Sequence, residues 1–287
     1  MPGYWHQILP HIDLIVVMSK WAEKVINNEG YSCAYVPHGV NTEIFSPQPE
    51  RGLAFRAKHN IPEDYMIYLF MNRNQHRKNV PDLVDAYKIF AANKHDTFLY
   101  FHCCLKEDMG WNIPILLKQA KIINKCAYTT GINPEIGASL DAVVDIYNAA
   151  DVMVSTTTGE GFGLTTIEAL SCGKPVIITD YTTSEELVKG HGQLIPVDRY
   201  VRLIDRTRGV LAGYPDVKKF AEAMDLYYYD RELLRRDGEN ARKFALGYSW
   251  DNIVPIWHAL IIALQRQKVG EIRTMIDKIN VKKLEVS

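Results

Sequence analysis

Glu160 and Glu168 bracket a run of glycines in GEGFGLTTIEALSCGKPVII, from Gly159 to Ile178. Carboxylates on either side of such a turn would accept hydrogen bonds from two sets of hydroxyls, while the turn itself offers bare backbone N–H groups. Upstream, DVMVST (Asp151 to Thr156) reads as a short buried strand, and Gly159, Gly161 and Gly163 break its pattern. Leu164, Ile167 and Leu170 then recur at helical spacing, until Gly173 and Pro175 stop the helix and PVIIT resumes a strand. The unit is therefore strand, glycine turn, helix, strand. The first N–H groups of its helix, from Phe162 to Thr165, lack intrahelical partners and lie at the positive end of the dipole, where a phosphate docks. Gly161 and Gly163 permit close approach to the backbone. Glu160 would accept from sugar hydroxyls, and Glu168, one turn into the helix, from a second pair such as a ribose. Neither suits the phosphate itself, since like charges repel. Paired glutamates and glycine turns also occur without a ligand, so the spacing alone leaves a purely structural reading open.

The surrounding elements alternate as an α/β architecture requires, a Rossmann-like doubly wound parallel sheet followed by a C-terminal helical segment. Apolar runs at DLIVVMS (Asp13 to Ser19), MIYLFM (Met66 to Met71), TFLYFHC (Thr97 to Cys103), DVMVS and PVIIT read as strands buried on both faces. GQLIPV has strand character, and the basic, glycine-punctuated stretch from Arg199 to Gly213 reads as a loop. From Asp216 the periodicity is helical to the end, with RRDGENARKFA (Arg235 to Ala245) amphipathic and Trp250 to Leu264 more apolar.

Composition mostly excludes. At 287 residues, 47% hydrophobic and 23% charged, the chain can form one large core, or one domain and a piece of another. Its 33 basic and 34 acidic residues leave a formal charge of −1, so bulk attraction to nucleic acid or anionic membrane is not expected. Five cysteines without a C-x-x-C pair argue against a disulfide framework, and a cytoplasmic location fits best. His102, Cys103 and Cys104 are neighbours in a strand and point to alternate faces, which favours core packing over a metal site. No run approaches the roughly 20 apolar residues of a membrane span. The tail from Gln265, with six basic and three acidic residues, reads as a solvated helix, peripheral membrane contact being the alternative.

The glycine-turn phrase resembles, almost position for position, the nucleotide-sugar-binding signature of glycosyltransferase family 4, retaining enzymes of GT-B fold, with its EGFG turn, EA pair and G-x-PV strand. VPHGVNTEIFSP (Val36 to Pro47) is similar to the family's interdomain connection, IPNGVDTEFFRP, with His38 and Asn41 in place of Asn and Asp. LFMNRNQHRKNVPDLVDAYKIF (Leu69 to Phe90) resembles the strand, basic loop and helix that open the donor domain; the family's usual glycine before the Arg is Asn72 here. YTTGINP (Tyr128 to Pro134), LDAVVDIYNAADVMVST (Leu140 to Thr156) and YSWDNIVPIW (Tyr248 to Trp257) continue the likeness.

The resemblance implies a nucleotide-diphosphate-sugar donor bound without a further cofactor. Arg73 and Lys78 would hold the diphosphate, with Arg77 as a substitute, and Glu160 would orient the sugar. The backbone of Phe162, Gly163, Leu164 and Thr165 would receive phosphate, with Gly161 and Gly163 admitting the donor close to the chain; Glu168 would hold the ribose, and Ile132 and Asn133 would lie near the base. The chain has no Asp-x-Asp pair to present a divalent ion, so a leaving group handled without metal is expected. On this reading residues 1–46 are a remnant of the acceptor-binding domain and the connection, 47–250 the donor domain, and 251–287 a helical tail. Most of the acceptor half is missing, which leaves three expectations: a fragment, a partner chain that supplies the rest, or a nucleotide-sugar-binding or regulatory module inactive by itself. The apolar face around Ile256, Leu260 and Leu264 would then lack cover and favour self-association. The acceptor stays unknown.

Overall fold

The computed structural model describes residues 5–107, 110–132, 137–205 and 208–265. Two short strands, β1 (Ile15–Val17) and β2 (Cys33–Tyr35), pair in parallel near the N-terminus. The main sheet contains β3 (Met66–Met71), β4 (Thr97–His102), β5 (Cys126–Tyr128), β6 (Val152–Ser155), β7 (Val176–Thr179) and β8 (Gln193–Ile195). They run parallel in the order β5-β4-β3-β6-β7-β8. All six residues of β3 are buried, as a strand covered on both faces requires.

Alternation along β3 assigns the two faces. Met66, Tyr68 and Phe70 enter one core, closed by the helices Val80–Phe90, Ile113–Ala120 and Val217–Tyr229 through Leu83, Tyr87, Leu117, Phe220 and Met224. Ile67, Leu69 and Met71 enter the other, where the helices Leu140–Ala149, Leu164–Ser171 and Arg231–Leu246 supply Ile146, Tyr147, Ile167, Leu170 and Ala241. The Pro49–Lys58 helix is fastened beneath β3 by Arg56, which is 6% exposed. Its guanidinium donates to the Ala149, Pro62, Glu63 and Tyr65 carbonyls and to Asp151 Oδ2, the last at 2.8 Å.

The stretch 199–213, expected to be a loop, instead lies within an antiparallel hairpin of β9 (Val197–Asp205) and β10 (Arg208–Pro215). Exposed strands need no continuous apolar run, so the charges and glycines that suggested a loop are compatible with pairing. Tyr181 anchors this hairpin by donating from its hydroxyl to the Leu211 carbonyl at 2.8 Å. A Cβ at Gly213 would come within 2.9 Å of the Tyr181 ring, so a side chain there would push the hairpin off its support.

The C-terminal helix also departs from expectation. Ile256 and Leu260, expected to lack cover, are 3% and 2% exposed. The helix Trp250–Gln265 lies on the β1–β2 pair, with Ile253 and Ile256 against Val36 and Leu260 against Ala34, and Leu264 joins that cluster. The N-terminal segment thus covers Ile253, Ile256 and Leu260 from within the chain. No helix among the described residues is long and apolar enough to cross a membrane, and the basic tail beyond Gln265 falls outside them, so its two readings are not addressed.

Candidate donor-binding site

The strand order reverses direction between β3 and β6. From β3 the chain steps outward through β4 to β5, then returns to β6 on the other side of β3 and proceeds to β8. At such a switch point the loops leaving two adjacent parallel strands diverge and open a crevice beyond their carboxyl ends, where ligands of doubly wound sheets bind. The basic loop Asn72–Lys78 leaves β3 there, and the glycine turn follows β6. Topology thus places the two sequence candidates side by side although more than eighty residues separate them.

Loop contacts hold them together. Thr158 N donates to the Arg77 carbonyl at 2.8 Å, and Thr156 Oγ1 donates to the Asn79 carbonyl at 2.8 Å. Asn79 takes a left-handed conformation, φ 49°, which turns the basic loop into the Val80–Phe90 helix. Gly163 takes φ 105° and starts the Leu164–Ser171 helix, so the glycine requirement there is conformational. Gly161 differs: a Cβ there would meet nothing within 4 Å, which leaves that side of the turn open to an incoming group. Phe162 is buried, 4% exposed, and its ring meets His38 of the connection edge-on at 5.2 Å. Asn41 of the same connection accepts from the Glu43 and Ile44 N–H groups, as an Asp would.

Glu160 lies between two cations. Its Oε1 accepts from Lys78 Nζ, and its Oε2 from Arg77 Nη1 at 2.9 Å. Burial pushes its carboxyl up, but the charges of Lys78 and Arg77 outweigh burial and hold it below its ordinary value. Lys78 is itself buried, 6% exposed, and desolvation lowers its ammonium despite Glu160. Two of its three N–H donors are engaged, by Glu160 and by Asn72 Oδ1 at 2.6 Å. The Glu160 N–H is fixed by Thr182 Oγ1 at 2.9 Å, and Thr183 Oγ1 donates to the Phe162 carbonyl at 2.9 Å.

Arg73 does not join this cluster. Its Nε donates to Glu107 at 2.6 Å, and its side chain is 65% exposed. It lines a neighbouring cavity of about 280 Å³ with Asn72, His102, Ile132 and Thr165. His102 is therefore at the cavity wall, bonded through Nδ1 to Thr129 Oγ1 at 2.9 Å, while Cys103 packs in the core behind it. Burial lowers the His102 imidazole, so it is neutral near pH 7. Glu168 is one turn below, where Tyr147, itself fully buried, donates to Oε2 at 2.9 Å. Burial outweighs that bond and raises the Glu168 carboxyl to about 7. Leu164 is exposed at the helix N-terminus, and Thr165 Oγ1 reaches Asn72 Oδ1 at 3.3 Å. Asn133 falls outside the described residues.

The structure thus brings together Lys78, Glu160 and the backbone from Gly161 to Thr165, with Ile132 and Arg73 on the adjoining wall. It adds Arg77 as the second cation on Glu160, and Tyr147 as the hydroxyl that holds Glu168. No pattern in the sequence singles out Tyr147, whose helix reads only as an apolar face. Arg77 was legible as part of the basic run but not as Glu160's partner.

The family described as glycosyl transferases group 1 matches residues 53–244. The chain is 29% identical over 245 residues to the D-inositol 3-phosphate glycosyltransferase of Streptomyces bingchenggensis, covering 83% of this chain and 50% of that protein. Sucrose-phosphate synthase from Thermosynechococcus elongatus superposes with a TM-score of 0.74 at 22% identity, over 91% of this chain and 60% of that one. HepE of Anabaena, solved in complex with UDP and glucose, superposes with a TM-score of 0.64 at 17% identity, over 82% of this chain and 59% of that one. The chain spans about half the length of the first of these relatives. The two superpositions establish the GT-B-like sheet, and the match over residues 53–244 makes this chain a member of the group 1 glycosyltransferase family.

Proposed function

We propose that the chain carries the donor site of a metal-independent, retaining glycosyltransferase that moves a sugar from a nucleotide-diphosphate donor to an acceptor hydroxyl. The observation that supports this most is the meeting of a buried ammonium, Lys78, with the open glycine turn and helix N-terminus at one switch point. In the reaction the acceptor oxygen bonds to the anomeric carbon. The bond from that carbon to the diphosphate breaks, and the hydroxyl proton leaves with the diphosphate. Negative charge grows on the departing oxygens, where a preorganised cation in a water-poor site is most effective. Lys78 would meet that charge with its third N–H, and the first N–H groups of the Leu164–Ser171 helix would meet the rest.

Arg73 would exchange Glu107 for a phosphate oxygen, since a guanidinium can hold two oxygens of either group. Glu160, fixed by Arg77 and Lys78, keeps free lone pairs for the sugar hydroxyls, and Glu168 would take the ribose. Metal independence is supported by this cationic set and by the absence of an Asp-x-Asp pair in the sequence. Retention is carried over from the family-4 resemblance, and UDP in the HepE complex supports a nucleoside diphosphate as the leaving group.

Calorimetric titration of UDP, GDP, ADP and their sugars into this chain, with a donor-hydrolysis assay, tests the reading. Saturable binding of at least one nucleoside diphosphate, undiminished by EDTA, is expected. No binding across the panel would refute it, and binding without hydrolysis or transfer would reduce the chain to a non-catalytic module. NMR of the product's anomeric proton tests retention.

A further inference from the structure

Asn72, the first residue after β3, occupies the position where family-4 enzymes usually carry glycine, and it brings a carboxamide into the site. The residue is 6% exposed. Its Oδ1 accepts from Lys78 Nζ at 2.6 Å and from Thr165 Oγ1 at 3.3 Å. An ammonium has only donors, so the amide oxygen must face Lys78, and the orientation of the carboxamide is thereby fixed. Its Nδ2 is then turned away from Lys78, buried, and without a hydrogen-bond partner among the described residues. A buried donor left unsatisfied costs about 1–3 kcal/mol, and such groups are rare enough to call for a reason. Arg73, beside it on the cavity wall, offers only donors and cannot satisfy it. The described residues supply no acceptor for it, and because Nδ2 has no surface open to solvent, an acceptor on a ligand reaches it only when the carboxamide or its neighbours shift.

We propose that Asn72 is a donor-site residue whose Nδ2 donates to a diphosphate oxygen of the bound nucleotide sugar, while its Oδ1 fixes the Lys78 ammonium beside the same group. The inference rests on the nucleotide-diphosphate reading above. One side chain thus touches the catalytic cation, the first turn of the phosphate-facing helix through Thr165, and the ligand. The ionised oxygens of a diphosphate are acceptors, which matches the unfilled N–H donors of this carboxamide. A glycine at this position could neither set Lys78 nor make that contact.

The test uses this chain with whichever of UDP, GDP and ADP the wild type binds, titrated into wild type, Asn72→Ala and Asn72→Asp. Alanine removes both functions of the amide. Aspartate keeps an acceptor for Lys78 but replaces the N–H donor with an oxygen. Both variants are expected to bind the nucleoside diphosphate about ten- to hundredfold more weakly, the range for losing a hydrogen bond to a charged group. Wild-type affinity in Asn72→Asp with weak binding in Asn72→Ala would mean that the amide serves Lys78 alone, and would overturn the proposal. Wild-type affinity in Asn72→Ala, with or without loss in Asn72→Asp, would overturn it too, the latter loss being mere charge repulsion. If the wild type binds none of the three nucleotides, the functional reading falls and takes this inference with it. Circular dichroism melting curves verify folding, and Asn72→Gly, with the same expected loss, replaces either variant if it does not fold.

Discussion

Glu168 offers the most quantitative test, because its burial makes two effects move in opposite directions when it is changed to glutamine. Its carboxyl is raised from an ordinary 4.5 to about 7 by desolvation, with the Tyr147 hydroxyl bond at 2.9 Å opposing the rise only in part. The folded state therefore binds a proton that the unfolded state has released between these values. Stability is fully present below pH 4.5 and is lost as pH rises through 7, where both states are ionised. A gap of that size is worth on the order of 3 kcal/mol. Glu168→Gln keeps an oxygen for Tyr147 and cannot ionise, so it removes this slope. Urea unfolding of both proteins at intervals from about pH 4.5 to 8.5, followed by tryptophan fluorescence, should show equal stability at the acid end. At the alkaline end the variant should be more stable by about 2–3 kcal/mol. If Glu168 accepts from the ribose as proposed, the same substitution should also weaken nucleoside-diphosphate binding, because its carboxylate is gone. A flat difference between the two stability curves, or a variant less stable at pH 8 than wild type, would refute the assignment of a buried, proton-holding Glu168.

Two further outcomes follow from the same geometry. Lys78→Ala should lower turnover at saturating donor by about 100- to 1000-fold, the scale for removing one preorganised partner of transition-state charge, and wild-type turnover would exclude Lys78 from the reaction. Arg56→Ala should cost about 1–3 kcal/mol in chemical denaturation, because the half-buried Asp151 loses its cationic partner and three loop carbonyls lose their donor; a loss well under about 1 kcal/mol would show that water replaces the guanidinium.

Much of the fold was legible because parallel strands buried on both faces write themselves as apolar runs, as MIYLFM and PVIIT do. β5, three residues long, is too short for periodicity to reveal, and the β9–β10 hairpin carries the composition of a loop because its strands pair with each other and leave much of their surface exposed. The two halves of the site were each visible as local patterns: glycines before a helix, and a basic loop after a strand. Their pairing was not, since which cation meets Glu160 depends on the register of β3 against β6 and on loop carbonyls that carry no side-chain signature. Asn72 appears in the sequence only as a departure from a family pattern, and its unfilled donor emerges once Lys78 is seen to claim the oxygen. The cover over Ile256 and Leu260 was misjudged for a related reason: three-residue strands give little hint of how much surface they can bury.

The β3–β6 adjacency also bears on how the molecule comes to exist. The Lys78–Glu160 contact joins residues 82 apart in sequence, and β4, β5 and their crossover helices lie between them. Neither half of the site can be held in place by a segment that folds locally, because closing that long loop and seating β6 beside β3 must come first. Closing contacts of such separation costs loop entropy, and folds rich in them fold slowly. A nucleotide bound at this seam would therefore select the fully assembled sheet over partly folded chains and stabilise it by mass action. Nucleotide binding and folding stability would thereby be thermodynamically linked in this chain.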